Sequence, residues 1–138
     1  MTESVIASQA NYERYLQLFM ESDPAWKDYY AHNAVMEFGI RDGAPLLLQG
    51  VEAIASAFAG IHEIMSEKAR VDSFVLQGDS LVVKLTSDFI VKKEADYMGH
   101  RVTAGQTMRQ RGELRYTLAD GKIARVSMGG SFEQGDFV

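Results

Sequence analysis

The sequence predicts an α+β fold in which three N-terminal helices pack on one face of a curved, mostly antiparallel sheet. Three observations carry that expectation. Apolar residues recur at three- and four-residue spacing in the first third of the chain, the period of an amphipathic helix. From residue 71 onward they alternate at every second position, the period of a half-buried strand. The pairs Gly78-Asp79 and Asp120-Gly121 sit between alternating runs, where hairpins turn. Helices grouped ahead of strands point to an α+β arrangement rather than to alternating βαβ units.

Each element has its own signal. Tyr12, Tyr15, Leu16 and Phe19 form the apolar stripe of the first helix. Ser22-Asp23-Pro24 restarts a helix, because Asp23 suits the cap and Pro24 the first helical position, where no N–H is needed. Trp26, Tyr29 and Tyr30 share a face of that short second helix. A strand is expected over residues 35–40, a turn at Asp42-Gly43 and a return strand over 45–49. Gly50 opens the third helix, with Glu52 in the first turn complementing the helix dipole and Ile54, Phe58, Ile61 and Met65 as its buried stripe. Strands over 71–77, 81–92, 102–118 and 123–132 complete a meander.

The 138 residues are expected to form a single domain, residues 1–138, with no linker or repeat. The absence of cysteine excludes disulfides, cysteine-based zinc sites and a cysteine nucleophile. A net charge of −5 weighs against nucleic acid as a partner. No apolar run approaches the ~20 residues of a membrane span. Met1-Thr2-Glu3-Ser4 carries an acid where a signal peptide carries positive charge, so a cytoplasmic protein is expected.

Parity sorts the strand residues into two faces. Leu81, Val83, Leu85, Phe89 and Val91 face inward, and Lys84, Thr86, Asp88 and Lys92 outward. Over 102–118 the inner row includes Gln106, Met108, Gln110, Leu114 and Tyr116, and the outer row Arg101, Arg109, Arg111, Glu113 and Arg115. Met36, Phe38 and Met128 fall on inner rows of the first and last strands. Gln106, Gln110 and Tyr116 need partners if buried, from the helices, water or a ligand. No carboxylate is placed on an inner row, since Asp72, Asp88 and Glu113 are outward or ambiguous.

Asp28-Tyr29-Tyr30-Ala31-His32-Asn33-Ala34-Val35, Leu48-Gln49-Gly50-Val51-Glu52-Ala53-Ile54 and Asp120-Gly121-Lys122-Ile123 resemble, in order, three segments of the nuclear transport factor 2-like superfamily. That group includes SnoaL-like polyketide cyclases and ketosteroid isomerases. The resemblance spans almost the whole chain, with Asn33 where Asp is common. It implies a cone (a cystatin-like roll) whose bent sheet wraps the helices and leaves an apolar pocket at the open end. Glu13-Arg14-Tyr15-Leu16-Gln17-Leu18 resembles the isomerase segment whose tyrosine donates to the substrate oxyanion, and Tyr15 matches that tyrosine. The isomerase base falls at Phe38 and its second donor at Gly112 or Leu114, so the steroid mechanism does not carry over.

Among the histidines, His32 and His100 lie in predicted exits and turns, whereas His62 borders the third helix's stripe. His62 is therefore the acid–base candidate, and no His-x-x-x-His pair indicates a metal. No cofactor is expected: neither phosphate-loop pattern occurs. The reading is a small protein that binds an apolar organic ligand, carbonyl-bearing and polyketide-, terpenoid- or steroid-like. Tyr15 and His62 are its catalytic candidates for an isomerase, cyclase or dehydratase step. Phe38, Phe58, Gln106, Met108, Gln110, Tyr116 and Met128 are its ligand-contact candidates. The alternative is a non-catalytic binding or dimerisation module. The arginine-rich outer face is read as a solvated or dimer surface, with a homodimer expected through it.

Overall fold

The computed structural model describes residues 4–38, 46–97 and 100–133. The first helix, α1 (Gln9–Met20), is capped by Ser8, whose hydroxyl accepts the Asn11 N–H at 3.2 Å. Its stripe is as expected: Tyr12, Tyr15, Leu16 and Phe19 are all buried. Beyond α1 the chain turns through Ser22 in the left-handed region, φ 58°. The Ser22 N–H bonds the Phe19 carbonyl and the Asp23 N–H the Leu18 carbonyl, which satisfies two orphan acceptors of the helix end.

The second helix proves to be a 3-10 segment, η1 (Pro24–Tyr29), with the Asp23 carboxylate accepting the Ala25 N–H. Tyr30 belongs to the strand β1 (Tyr30–Phe38), which begins earlier than the sequence suggested because Tyr30 pairs with Ile123 of the last strand. β1 forms an antiparallel pair with β2 (Leu46–Gln49). The expected turn at Asp42-Gly43 lies outside the described residues. Gly50 has φ +92°, a conformation that favours glycine, and its N–H reaches the Ala34 carbonyl at 2.7 Å as α2 (Val51–Ile64) begins.

α2 runs into β3 (Met65–Gln77) without a loop, so Met65 is buried from the strand rather than from the helix. β4 (Ser80–Val91) pairs along the whole of β3. The strand expected over 102–118 is interrupted. A small hairpin of β5 (Ala95–Tyr97) and β6 (His100–Val102) precedes β7 (Thr107–Ala119) and β8 (Lys122–Glu133). The break is made by Gly105, φ +92°, and by the Gln106 side chain, whose Oε1 accepts the Thr103 N–H at 2.7 Å.

The six-stranded sheet has the order β2-β1-β8-β7-β4-β3, antiparallel throughout except for the parallel β1/β8 pair. That pairing brings the last strand back beside the first. The N-terminal segment locks onto it: the Ile6 N–H bonds the Gly121 carbonyl, and a Cβ at Gly121 would stand 2.8 Å from the Val5 side chain.

Two apolar clusters fill the interior. The larger joins α1, η1 and α2 to the inner face of the sheet and includes Tyr12, Trp26, Ile54, Leu81, Val83, Tyr116 and Val126. The smaller joins Met65, Phe89, Val91, Val102 and Met108. Parity along β7 is as read from the sequence, with Met108, Tyr116 and Leu118 buried and Arg111, Arg115 and Thr117 exposed. Among the described residues no helix is long and apolar enough to cross a membrane.

Candidate functional site

Helical spacing puts Tyr12 and Tyr15 on the buried face of α1, with their rings 5.5 Å apart. Each meets a second tyrosine. The Tyr12 hydroxyl lies 2.7 Å from that of Tyr116 on β7, and the Tyr15 hydroxyl 2.6 Å from that of Tyr30 on β1. A pair of phenols carries two hydrogens and uses one between them, so each pair retains one O–H that can donate elsewhere. Burial holds all four hydroxyls above the ordinary tyrosine value. Burial is the largest cause in each case, with the neighbouring tyrosines adding further to Tyr15 and Tyr116. The protons therefore stay on, and the group is a set of donors.

The sequence reading missed Glu67. Along β3, Met65, Glu67, Ala69 and Val71 share the less exposed row, while Ser66, Lys68 and Arg70 are exposed. A carboxylate thus stands in an otherwise apolar inner row, its side chain 12% exposed. Its negative charge contributes to the raised values of Tyr12 and Tyr15. The available signal was the alternation of Met65, Glu67 and Ala69, which extends the β3 pattern back to the end of α2.

Glu67 has a partner. His62, in the last turn of α2, places Nε2 3.4 Å from Glu67 Oε1 and Nδ1 3.2 Å from the Ser22 hydroxyl. Its ring stands edge-on to Phe19 at 5.0 Å and tilted against Phe58 at 6.4 Å. The structure thus gathers Tyr15, His62, Phe58 and Tyr116 on one side of the sheet with Glu67, around the Phe19 and Tyr12 rings.

Other sequence candidates fall elsewhere. Gln106 is in the turn before β7, not on its inner row, and its amide is committed to the Thr103 N–H. Met108 is buried in the smaller cluster. Gln110 is on the inner row, half-buried, opposite Ser87 of β4. Met128 is half-buried against the larger cluster, opposite Leu114. Phe38 pairs with Met128 in the β1/β8 register, but its side chain lies outside the described residues. Among the described residues, no buried side-chain nitrogen or oxygen lacks a partner, and no group of three His, Asp or Glu is placed to hold a metal ion.

A sheet wrapped on N-terminal helices, with a parallel return of the last strand, defines an α+β cone, with the tyrosine pairs and Glu67 on the inner side of the sheet. The profile of the SnoaL-like domain matches residues 12–126, which is most of the chain. The chain belongs to the SnoaL-like domain family, within the nuclear transport factor 2-like superfamily. No curated protein sequence matches it. Solved structures share the fold at low identity. A proposed polyketide cyclase from Xanthomonas campestris pv. campestris is 20% identical with a TM-score of 0.70, over 85% of this chain and 84% of that one. A nuclear transport factor 2-like protein of unknown function from Burkholderia pseudomallei is 12% identical with a TM-score of 0.69, over 95% and 92%. TerC, crystallised with polyporic acid, is 16% identical with a TM-score of 0.67, over 87% and 88%.

Proposed function

We propose that this chain binds an apolar, carbonyl-bearing organic molecule between its helices and the inner face of its sheet, and catalyses an isomerase-, cyclase- or dehydratase-type step on it. The observation that carries the reading is the inner-row carboxylate of Glu67, bonded to His62 and facing the buried tyrosines. Glu67, or His62 through it, takes a proton beside the carbonyl. The oxygen that gains charge accepts the O–H that a tyrosine pair has left, Tyr15/Tyr30 or Tyr12/Tyr116. Phe58, Gln110 and Met128 supply contact area and orientation. The co-crystallisation of TerC, similar in fold, with polyporic acid supports an organic ligand of this class.

The test uses 5-nitrobenzisoxazole, a small apolar probe that a desolvated base opens to a coloured nitrophenolate. Saturable turnover is expected, reduced about 10²–10⁴-fold in Glu67→Gln, the usual worth of a positioned base. An unchanged rate in Glu67→Gln overturns the assignment. Saturable binding with no turnover favours the alternative, a non-catalytic binding module. One observation speaks for that alternative: Tyr15 and Tyr116 already pair internally.

We further propose a homodimer through the outer sheet face, where Val75 and Ile90 are 48% and 49% exposed among charged residues. Sedimentation equilibrium showing a monomer at micromolar concentration removes this reading. The cysteine-free composition supports a cytoplasmic setting.

A further inference from the structure

Ser22 is used by neither the fold's core nor the proposed chemistry, yet it completes a chain of three. Its Oγ lies 3.2 Å from His62 Nδ1, and His62 Nε2 lies 3.4 Å from Glu67 Oε1. The hydrogen placement follows from the partners. A carboxylate only accepts, so Nε2 carries the ring hydrogen of neutral His62 and Nδ1 is left to accept from the Ser22 hydroxyl. This is a nucleophile, a base and an orienting acid in sequence, the arrangement that activates serine on unrelated folds. Exposure grades in the required direction. Ser22 is exposed to an incoming molecule, whereas the His62 and Glu67 side chains are 13% and 12% exposed.

The backbone adds a second observation. Ser22 occupies the left-handed position that ends α1, φ 58°, where glycine is the usual residue. Glycine would make the same turn without strain, so the turn alone does not account for the serine; its hydroxyl is the part that reaches His62.

The surroundings limit the chemistry. The nearby amides are committed: Ser22 N–H to Phe19, Asp23 N–H to Leu18, Ala25 N–H to the Asp23 carboxylate and Trp26 N–H to the Asp23 carbonyl. A developing oxyanion therefore finds no built backbone cradle, which restricts the site to donors with a good leaving group. Glu21 and Asp23 flank Ser22 in sequence and disfavour anionic donors, while Phe19 and Phe58 lie against the base.

We propose that Ser22, His62 and Glu67 form a nucleophilic triad that accepts the acyl group of a neutral activated donor, an aryl ester or thioester. Ser22 Oγ bonds to the carbonyl carbon as its hydrogen passes to His62 Nδ1. The bond to the leaving oxygen or sulfur then breaks, and that atom takes the proton from His62. The acyl group remains on Ser22 until water attacks the ester and releases the acid. With no cradle for the second oxyanion, release is slow and the acyl form accumulates.

The experiment incubates the full chain with p-nitrophenyl acetate, following nitrophenolate release, intact mass and a peptide map. The expected result is one acetyl group on Ser22 with a matching burst of nitrophenolate. Ser22→Gly, which keeps the turn, loses both, and His62→Gln slows acylation at least tenfold, with circular dichroism confirming that each variant is folded. Acetyl phosphate is expected to label more slowly. Acetyl found only on lysines, on His62 or on the N-terminus, or labelling at an unchanged rate in Ser22→Gly, overturns the triad. Equal labelling by acetyl phosphate overturns the preference for neutral donors. The map reads Ser22 directly, so its failure is distinguishable from failure of the benzisoxazole reaction, which needs no acyl donor.

Discussion

Along β7 the backbone presents Met108, Gln110, Leu114 and Tyr116 to one side, and Arg109, Arg111, Glu113 and Arg115 to the other. The two faces handle polar groups in opposite ways. On the inner face the Tyr116 hydroxyl bonds another hydroxyl away from water, and burial raises it. On the outer face the Asp88 carboxylate bonds Arg109 at 2.7 Å, and that hydrogen bond lowers it, as Thr86 chiefly does for Asp72. Desolvation dominates inside and a charged or hydroxyl partner outside. Groups on opposite faces of one sheet thus respond to opposite ends of the pH scale.

The largest effect that follows is alkaline unfolding. Tyr12, Tyr15, Tyr30 and Tyr116 all titrate above the ordinary value of 10.0 in the folded chain and near it once unfolded. Above pH 10 the unfolded chain binds fewer protons, so stability is fully present below pH 10 and falls as pH rises. The slope tends to about 1.4 kcal/mol per pH unit for each tyrosine, or about 5.5 for the four together. A cooperative loss of circular dichroism is expected, coincident with a jump in tyrosinate absorbance. If these tyrosines instead titrate near pH 10 with the fold intact, the inner face is wet and the contrast fails.

Of intermediate size is the cost of breaking one hydroxyl pair. Tyr12→Phe leaves the Tyr116 hydroxyl buried without its partner, at about 1–3 kcal/mol in urea unfolding. Adding Tyr116→Phe is expected to cost less than it does alone, because no orphan then remains. Additive losses would show that the two hydroxyls do not depend on each other.

Much of this division was legible from period alone. The stripe of α1 and the two rows of β7 followed from spacing, because both elements bury one face against the same core. What the period read from residue 71 onward left out was the start of β3. β3 begins at Met65, directly after α2, and the missing stretch contains Glu67, the residue that changes the chemistry of the interior. Likewise Gln106 kept the right parity for an inner row but sits in a turn set by Gly105 and its own amide. Tyr15 and His62 were found as single side chains. Their partners come from other elements: Tyr30 from β1, fifteen residues after Tyr15, and Glu67 from β3, five residues after His62 across the direct junction of α2 and β3.

The smallest effect belongs to the outer face and tests the contrast from its other side. The Asp88 carboxylate titrates below 3.8 when folded, with Arg109 as the chief cause. The stability it contributes is present above pH 3.8 and lost as pH falls through the folded value. The two side chains are 37% and 47% exposed, so water and salt screen the pair and its contribution stays under about 1 kcal/mol. Asp88→Asn should therefore differ little from the unaltered chain in urea unfolding at pH 7. The two curves should converge at acid pH, and the gap should shrink in high salt. A loss of several kcal/mol would mean that the outer face is shielded from water, as an extensive protein interface would shield it. The size of this acid limb, set against the alkaline one, thus measures how dry each side of the sheet is.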